Sequence, residues 1–348
     1  MILTIAQGME LDVFMDIGPK DRFHRIILKK INIYKAFGYL ENFYFFLYKN
    51  KKMRKILKYL AFFLLLSNYS FAEVMGKTLS KVSEKISDKV LSVIPGEGVT
   101  EFDIELSDQD NNDPRFNLLL LRNLNKQQDS NLFTQFSLHT QDVGTADLRY
   151  IANLGLGYRF LSDDQSFMFG GNIFYDRDLG EEHERGSIGL EAKAGILEFN
   201  LNKYEDISLQ KIVDGNKEQV LGGVDYIVSS QVPYLPWAKF NFTGYEHEKD
   251  LAAVDTKGNI YALEMALTPS LTFEAGYDDS RNTGGDDTSS AKLTFSYPPK
   301  TNQATLADGF SSNEAFYKKD MTSTLTEKVR RNNNIVVETQ GAIVITSQ

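Results

Sequence analysis

"RYIANLGLGYRFL", residues 149–161, keeps a hydrophobic period of two along its whole length. Its even positions, Tyr150, Ala152, Leu154, Leu156, Tyr158 and Phe160, are all apolar or aromatic. Its odd positions set Arg149, Asn153, Gly155, Gly157 and Arg159 beside only two apolar residues, Ile151 and Leu161. Alternation of this kind is a β-strand with one apolar face and one mostly polar face. Whether the apolar face meets a protein core or lipid decides the fold.

The same period runs from residue 98 to 298 and predicts twelve strands. The apolar rows begin with Phe102-Ile104-Leu106, Phe116-Leu118-Leu120 and Leu132-Phe136-Leu138, then the opening stretch. Next come Phe167-Phe169-Ile173-Tyr175, Ile188-Leu190-Ala192-Ala194, Leu197-Phe199-Leu201 and Val224-Tyr226-Val228. Ala238-Phe240-Phe242, Tyr261-Leu263-Met265-Leu267, Leu271-Phe273-Ala275-Tyr277 and Ala291-Leu293-Phe295-Tyr297 complete the set. The opposite rows carry Glu101, Asp103, Gln135, His139, Asp176, Glu191, Glu198, Glu264, Glu274 and Lys292. A soluble sandwich would alternate too. Three features favour lipid: apolar rows ending in Tyr or Phe, strands of about 9 to 12 residues, and alternating short and long connections. The short ones are "NKQQDS", "SDDQ", the Gly195 turn and "TPS", with "SSQVPYLP" intermediate. Barrels of the outer membrane keep short turns in the periplasm, so a long first connection places the start of the barrel there.

Bulk composition agrees. The chain has 348 residues, no cysteine and four scattered histidines, which leaves no thiolate site and no His-based metal site. Residues 1–72 hold 12 basic and 5 acidic residues, a net of +7, while the remainder is strongly acidic and unsuited to nucleic acid. "MRKILKYLAFFLLLSNYSFAEV", from Met53, has the basic, apolar and small-residue regions of a secretory signal peptide, with cleavage after Ala72. The predicted order is therefore an upstream extension (1–52) that is not part of the native protein, a signal peptide (53–72), and an amphipathic periplasmic helix (73–97) built on Leu79, Val82, Ile86 and Val90. The barrel (98–300) and a post-barrel linker or plug (301–348) follow.

"NLGLGYRFLSDDQSFMFGGNIFYDRDL" (153–179) resembles the central hairpin of the intimin/invasin barrel, the inverse autotransporters of type V secretion. "LFTQFSLHT" before it, "VSSQVPYLPWAKFNFTGYE" and "LTPSLTFEAGYDD" after it, and the post-barrel "EKVRRNNNIVVE" (327–338) fit the same pattern. The resemblance covers about residues 75 to 340. It implies a twelve-stranded antiparallel transmembrane β-barrel in the bacterial outer membrane. The N-terminus would be periplasmic and the C-terminus would point to the cell surface. It also implies that the linker returns through the pore, partly as a short helix, with residues 322–331 in the lumen and 332–338 emerging. The implied function is anchoring and translocation of a C-terminal adhesin for cell adhesion. The implied partners are outer-membrane lipid, the barrel-assembly machinery and periplasmic chaperones. Only ten residues, "TQGAIVITSQ", follow Glu338, so the adhesive passenger is expected to be truncated or separately encoded.

The pore-linker candidates are Leu325, Val329, Arg330, Arg331, Asn332, Asn333 and Asn334. Leu325 and Val329 at i, i+4 suit a short helix, capped by Thr322 or Ser323 and stopped by the Asn run. Arg330 and Arg331 would find carboxylates on the lumen wall at Glu191, Glu198, Glu264 and Glu274. No enzyme is expected. Ser137 and His139 read as lumen lining, and Asp176, Asp178, Glu181, Glu182 and His183 read as a charged outer loop tip. "DDSRNTGGDD" (278–287) lacks calcium-loop spacing. No catalytic residue, cofactor or metal is assigned. The alternative function is a porin-like passive channel.

Overall fold

The computed structural model describes residues 97–108, 114–143, 148–250, 255–280, 287–309, 311, 314–316 and 320–339, and the backbone of 342–344. The expected upstream extension, signal peptide and amphipathic helix, save the last residue of the helix, lie outside the described residues.

The first seven strands are β1 (Gly98–Ser107), β2 (Arg115–Lys126), β3 (Ser130–Gln141), β4 (Arg149–Leu161), β5 (Phe167–Asp178), β6 (Glu184–Ala194) and β7 (Leu197–Asp206). A short hairpin follows, β8 (Lys211–Val213) and β9 (Asn216–Val220). Then come β10 (Gly223–Val232), β11 (Leu235–His247), β12 (Thr256–Thr268), β13 (Leu271–Ser280) and β14 (Thr288–Tyr297), and finally β15 (Val337–Thr339) and β16 (Ala342–Val344). Twelve of them, β1–β7 and β10–β14, close into one antiparallel barrel through the β1–β14 pair. The remaining four make a separate sheet in the order β16-β15-β9-β8.

The opening stretch is β4, and its parity is strict. Every odd residue from Arg149 to Leu161 is buried, and every even residue but half-buried Ala152 is exposed. Leu156 pairs with Ile173, and Ile173 with Ile188, so the outward side chains of β4, β5 and β6 stand in one row. These three are 44 %, 57 % and 57 % exposed, a continuous apolar surface that only lipid suits. Tyr158, Phe160, Phe167 and Phe169 extend it at the short-turn end as a cluster of exposed rings. On β12–β14 the same parity carries Met265, Leu271, Phe273, Ala275 and Phe295, which form a buried apolar cluster rather than an open row. Tyr277, expected on the aromatic rim, is also buried, and its hydroxyl donates to Asp287 (2.7 Å).

Connections at one barrel end are 127–129, 162–166, 195–196, 233–234 and 269–270. The "SSQVPYLP" segment therefore joins the short set, its loop reduced to Pro233 and Tyr234. All longer connections lie at the other end, and the barrel strands begin (Gly98) and finish (Tyr297) at the short-turn end.

Candidate functional site: the threaded lumen

Two glycines of β4 shape the lumen wall. A Cβ on Gly155 would overlap the Phe174 ring, and one on Gly157 would overlap the Phe133 ring. Without those Cβ atoms both rings lie flat on the wall, and with Leu121 they form a small apolar patch inside a polar lumen. Val329 of the linker packs on that patch. The exposed π faces also hold cations: Arg159 stacks over Phe133 (4.4 Å) and Arg331 over Phe174 (4.3 Å).

The chain enters from the short-turn end. After β14, Lys300 N–H donates to Pro269 O and a 3-10 turn (Leu306–Asp308) follows, beyond which Trp237 Nε1 donates to Gly309 O (2.8 Å). Asp320 then caps a second 3-10 helix, Met321–Thr326, its carboxylate accepting from Thr322 N (2.9 Å). Met321 and Leu325 pack against Leu161 and Met168 at the end of the β4–β5 hairpin. From Glu327 to Asn334 the backbone is irregular and extended.

The expected helix over 322–331 is thus replaced by a six-residue 3-10 run capped by Asp320, two or three positions before the expected Thr322 or Ser323. Leu325 and Val329 sit in two separate apolar clusters rather than on one helical stripe. The physical reason lies in the wall, whose side chains satisfy the linker backbone in place of i→i−4 bonds. Arg159 donates to the carbonyls of Thr324, Leu325 and Glu327, and Asn131 Nδ2 to that of Leu325 (2.9 Å). Gln135 Oε1 accepts from Val329 N (2.8 Å), and Asn202 Nδ2 donates to Arg330 O (3.1 Å). Arg185 donates to Asn332 O (2.8 Å), Tyr204 Oη accepts from Asn332 N (2.8 Å), and Asn153 donates to Asn333 O (3.0 Å). Each such group left bare would cost about 1–3 kcal/mol.

An extended linker also sends alternate side chains to opposite walls. Val329 and Arg331 turn to the β2–β6 side, while Lys328 pairs with Glu101 (2.7 Å) and Arg330 with Glu264 (2.7 Å) and Glu198 (3.7 Å). Arg331 does not use the expected glutamates. It forks onto Asp176 (3.0 and 2.6 Å), which also takes Arg185 (2.8 Å), and all three side chains are fully buried. Of the four expected wall glutamates, Glu191 is taken by Arg159 (2.8 Å) and Glu274 by Lys292 (2.6 Å), leaving only Glu198 and Glu264 for the linker. Glu327 is held by Lys193 (2.6 Å). Asp176 and Asp178 are buried lumen groups rather than parts of a loop tip, and His183 is fully buried. Asn332 and Asn334 are buried as well, so residues 332–334 have not left the lumen.

Emergence begins at Ile335. Gln141 clamps its peptide from both sides, donating to its carbonyl (2.7 Å) and accepting from its N–H (2.9 Å). Val336 O then accepts from Leu221 N, and β15 pairs with β9 in the long β7–β10 connection. Beneath this pair Glu218 receives Arg149 (2.5 and 2.9 Å) and stands 2.8 Å from His183 Nε2. Burial alone would push the Glu218 carboxyl up, but the His183 and Arg149 contacts outweigh it and bring the pKa down from 4.5 to about 2. Beside the linker, along β1 and β11–β14, a cavity of about 580 Å³ remains, lined by Asp103, Asn241, Glu274, Lys292 and Thr294 among others.

Sequence reasoning missed the groups that hold the linker: Arg159, Arg185, Gln135, Gln141, Asn153 and Tyr204. Their signal was present, since long donors and acceptors on a lumen row need partners, but alternation alone does not identify the partner. It missed the β8–β9 hairpin too, although Asp214-Gly215, both at positive φ (50° and 80°), is the residue pair that a two-residue hairpin turn favours.

Residues 65–333 match the family described as inverse autotransporter, beta-domain. The inverse autotransporter adhesin YeeJ of Escherichia coli (strain K12) is 27 % identical over 222 residues, 60 % of this chain and 9 % of YeeJ. Invasin of Yersinia enterocolitica is 28 % identical over 137 residues, 38 % of this chain and 16 % of invasin. The chain thus spans only a small part of the length of these relatives. A solved chain from a study of in-meso crystallization of membrane proteins shares the fold, with a TM-score of 0.55 and 19 % identity over 69 % of this chain and 99 % of that one. An outer-membrane barrel built this way, matched over most of its length, belongs to the inverse autotransporter beta-domain family.

Proposed function

We propose that this chain is an anchor and translocator that carries its C-terminal segment through its own barrel for display outside the cell. The observation that carries the reading is the threading itself: residues 320–339 enter at the short-turn end and leave among the long connections. In this reading the short turns face the periplasm and the long connections face the exterior. The exported segment belongs to an adhesin, as the names of YeeJ and invasin suggest. In the same reading the barrel-assembly machinery and periplasmic chaperones insert the barrel. A porin-like channel is the second reading, favoured by the cavity that the linker leaves open.

The test is an epitope fused after Gln348 and probed with antibody on intact cells. Labelling without permeabilisation is expected. Labelling only after the outer membrane is breached overturns the translocator reading and favours the channel.

A further inference from the structure

The outer mouth contains a contact that export alone does not require. The β8–β9 hairpin is too small to be stable by itself, and β9 would present an open edge of backbone N–H and C=O groups. That edge is filled by the emerging chain: Val337, Glu338 and Thr339 stand opposite Val220, Gln219 and Glu218 in antiparallel register. Around the edge the mouth offers side-chain contacts on both faces of the incoming strand. Ile335 and Val337 join Val143, Ile151 and Val220 in a buried apolar cluster. Glu338, wholly buried, accepts from the backbone N–H of Asp250 (2.9 Å). Gln141 grips the Ile335 peptide at both its donor and its acceptor. Three long connections, β3–β4, β7–β10 and β11–β12, thus converge on four residues of one extended strand.

We propose that this mouth is a strand-addition site for an extended peptide of pattern apolar–apolar–apolar–acidic, filled in the resting chain by residues 335–338, the first three of them buried. Backbone pairing supplies affinity and the flanking contacts supply preference. Resting on the translocator reading, the site is where the exported segment first finds a partner outside the lumen. The β9 edge acts there as the template on which β15 and then β16 assemble. A third and fourth strand also convert a marginal hairpin into a sheet that closes the mouth behind the linker.

The test uses the full chain in detergent micelles, carrying Ile335→Asp and Val337→Asp so that its own strand leaves the site. The probe is a fluorescein-labelled peptide of residues 332–339, "NNNIVVET", read by anisotropy. Saturable binding to this variant is expected, about tenfold or more tighter than to the unsubstituted chain, whose site is occupied. Adding Gln141→Ala should weaken it, and a scrambled peptide should not bind. Absence of binding to a variant that keeps heat-resistant migration in detergent gels overturns the proposal. So does equal binding to the unsubstituted chain, or equal binding of the scrambled peptide. If the double aspartate variant loses that migration, Val337→Pro takes its place under the same criteria. Binding is read on purified protein, so failed surface labelling leaves this test intact, and failed binding leaves the threading intact.

Discussion

Asp176→Asn is the substitution most informative about what holds the linker. In the folded chain Asp176 balances two guanidinium groups, Arg185 from the neighbouring strand and Arg331 from the linker, with no solvent reaching any of the three. Asparagine keeps the shape and removes the charge, leaving two buried cations facing each other. Removal of one partner from a buried pair costs about 3–5 kcal/mol, and the doubled cation puts this case in the upper part of that range. Arg331→Ala should cost less, about 1.5–3 kcal/mol, because Asp176 retains Arg185 and the Asn153 amide (2.8 Å) while Phe174 loses only its stacked cation. The double variant should be less harmful than the sum, with a coupling of about 1–3 kcal/mol. Urea unfolding in lipid vesicles reads these numbers through Trp237, the only tryptophan, which is bonded to Gly309 on the way to the linker. If Arg331→Ala proves as costly as Asp176→Asn, or both fall below about 1 kcal/mol, Asp176 is not the group that fastens the linker.

Leu156→Arg should cost about 2–4 kcal/mol, because the side chain stands on the lipid row, whereas Thr272→Arg, facing the open cavity, should cost far less; equal costs in the same unfolding assay would sink the lipid assignment. Asn153, the obvious lumen control from sequence, is unsuitable, since it is buried between Ser137, Asp176 and Asn333. Deleting residues 322–348 should raise single-channel conductance in a planar bilayer, because the linker fills the β2–β7 side of the lumen; unchanged conductance would mean that the linker does not obstruct the pore. The mouth should be acid-labile in a defined window. The Glu218 pKa is lowered in the folded state, so its contribution is complete above 4.5 and is lost as pH falls toward about 2. Protease cleavage within 207–222 should therefore stay slow at pH 5 and accelerate as the pH approaches 2, and Glu218→Gln should abolish that dependence.

What the sequence disclosed follows from how local each signal is. The parity of Tyr150 to Phe160 needs no partner to be read, and neither do the Gly195 turn or the contrast of short and long connections. The apolar outer face, the strand number and the gathering of short turns at one end were legible for that reason. The linker was not, because its conformation is set by residues more than a hundred positions away. Leu325 and Val329 have helical spacing, and nothing near them in sequence announces that Arg159 and Asn202 will take the carbonyls a helix would use. The choice of Asp176 over four glutamates for Arg331 likewise depends on which lumen carboxylates have other partners. Glu191 is held by Arg159 and Glu274 by Lys292, facts of register rather than of composition.

The extended linker and the glycines of β4 belong to one arrangement. A helix in the lumen would satisfy its own backbone and ask little of the wall, whereas an extended chain must find a donor or acceptor for each buried peptide group. The wall provides them as side chains fixed by neighbours: Arg159 is braced by Glu191 and Phe133, and Tyr204 donates to Asp225 (2.6 Å) while it accepts from Asn332. Such braced groups set the linker's axial position, because moving it by one residue would place Val329 where a charge now pairs and Arg330 against the Phe133–Phe174 patch. Gly155 and Gly157 make that patch by letting the two rings lie flat. Alanine at either glycine should therefore displace its ring, disturb Arg331 or Arg159, and loosen the linker without touching the lipid face. The stretch whose even positions declare the membrane thus uses its odd positions to hold the chain that passes through it.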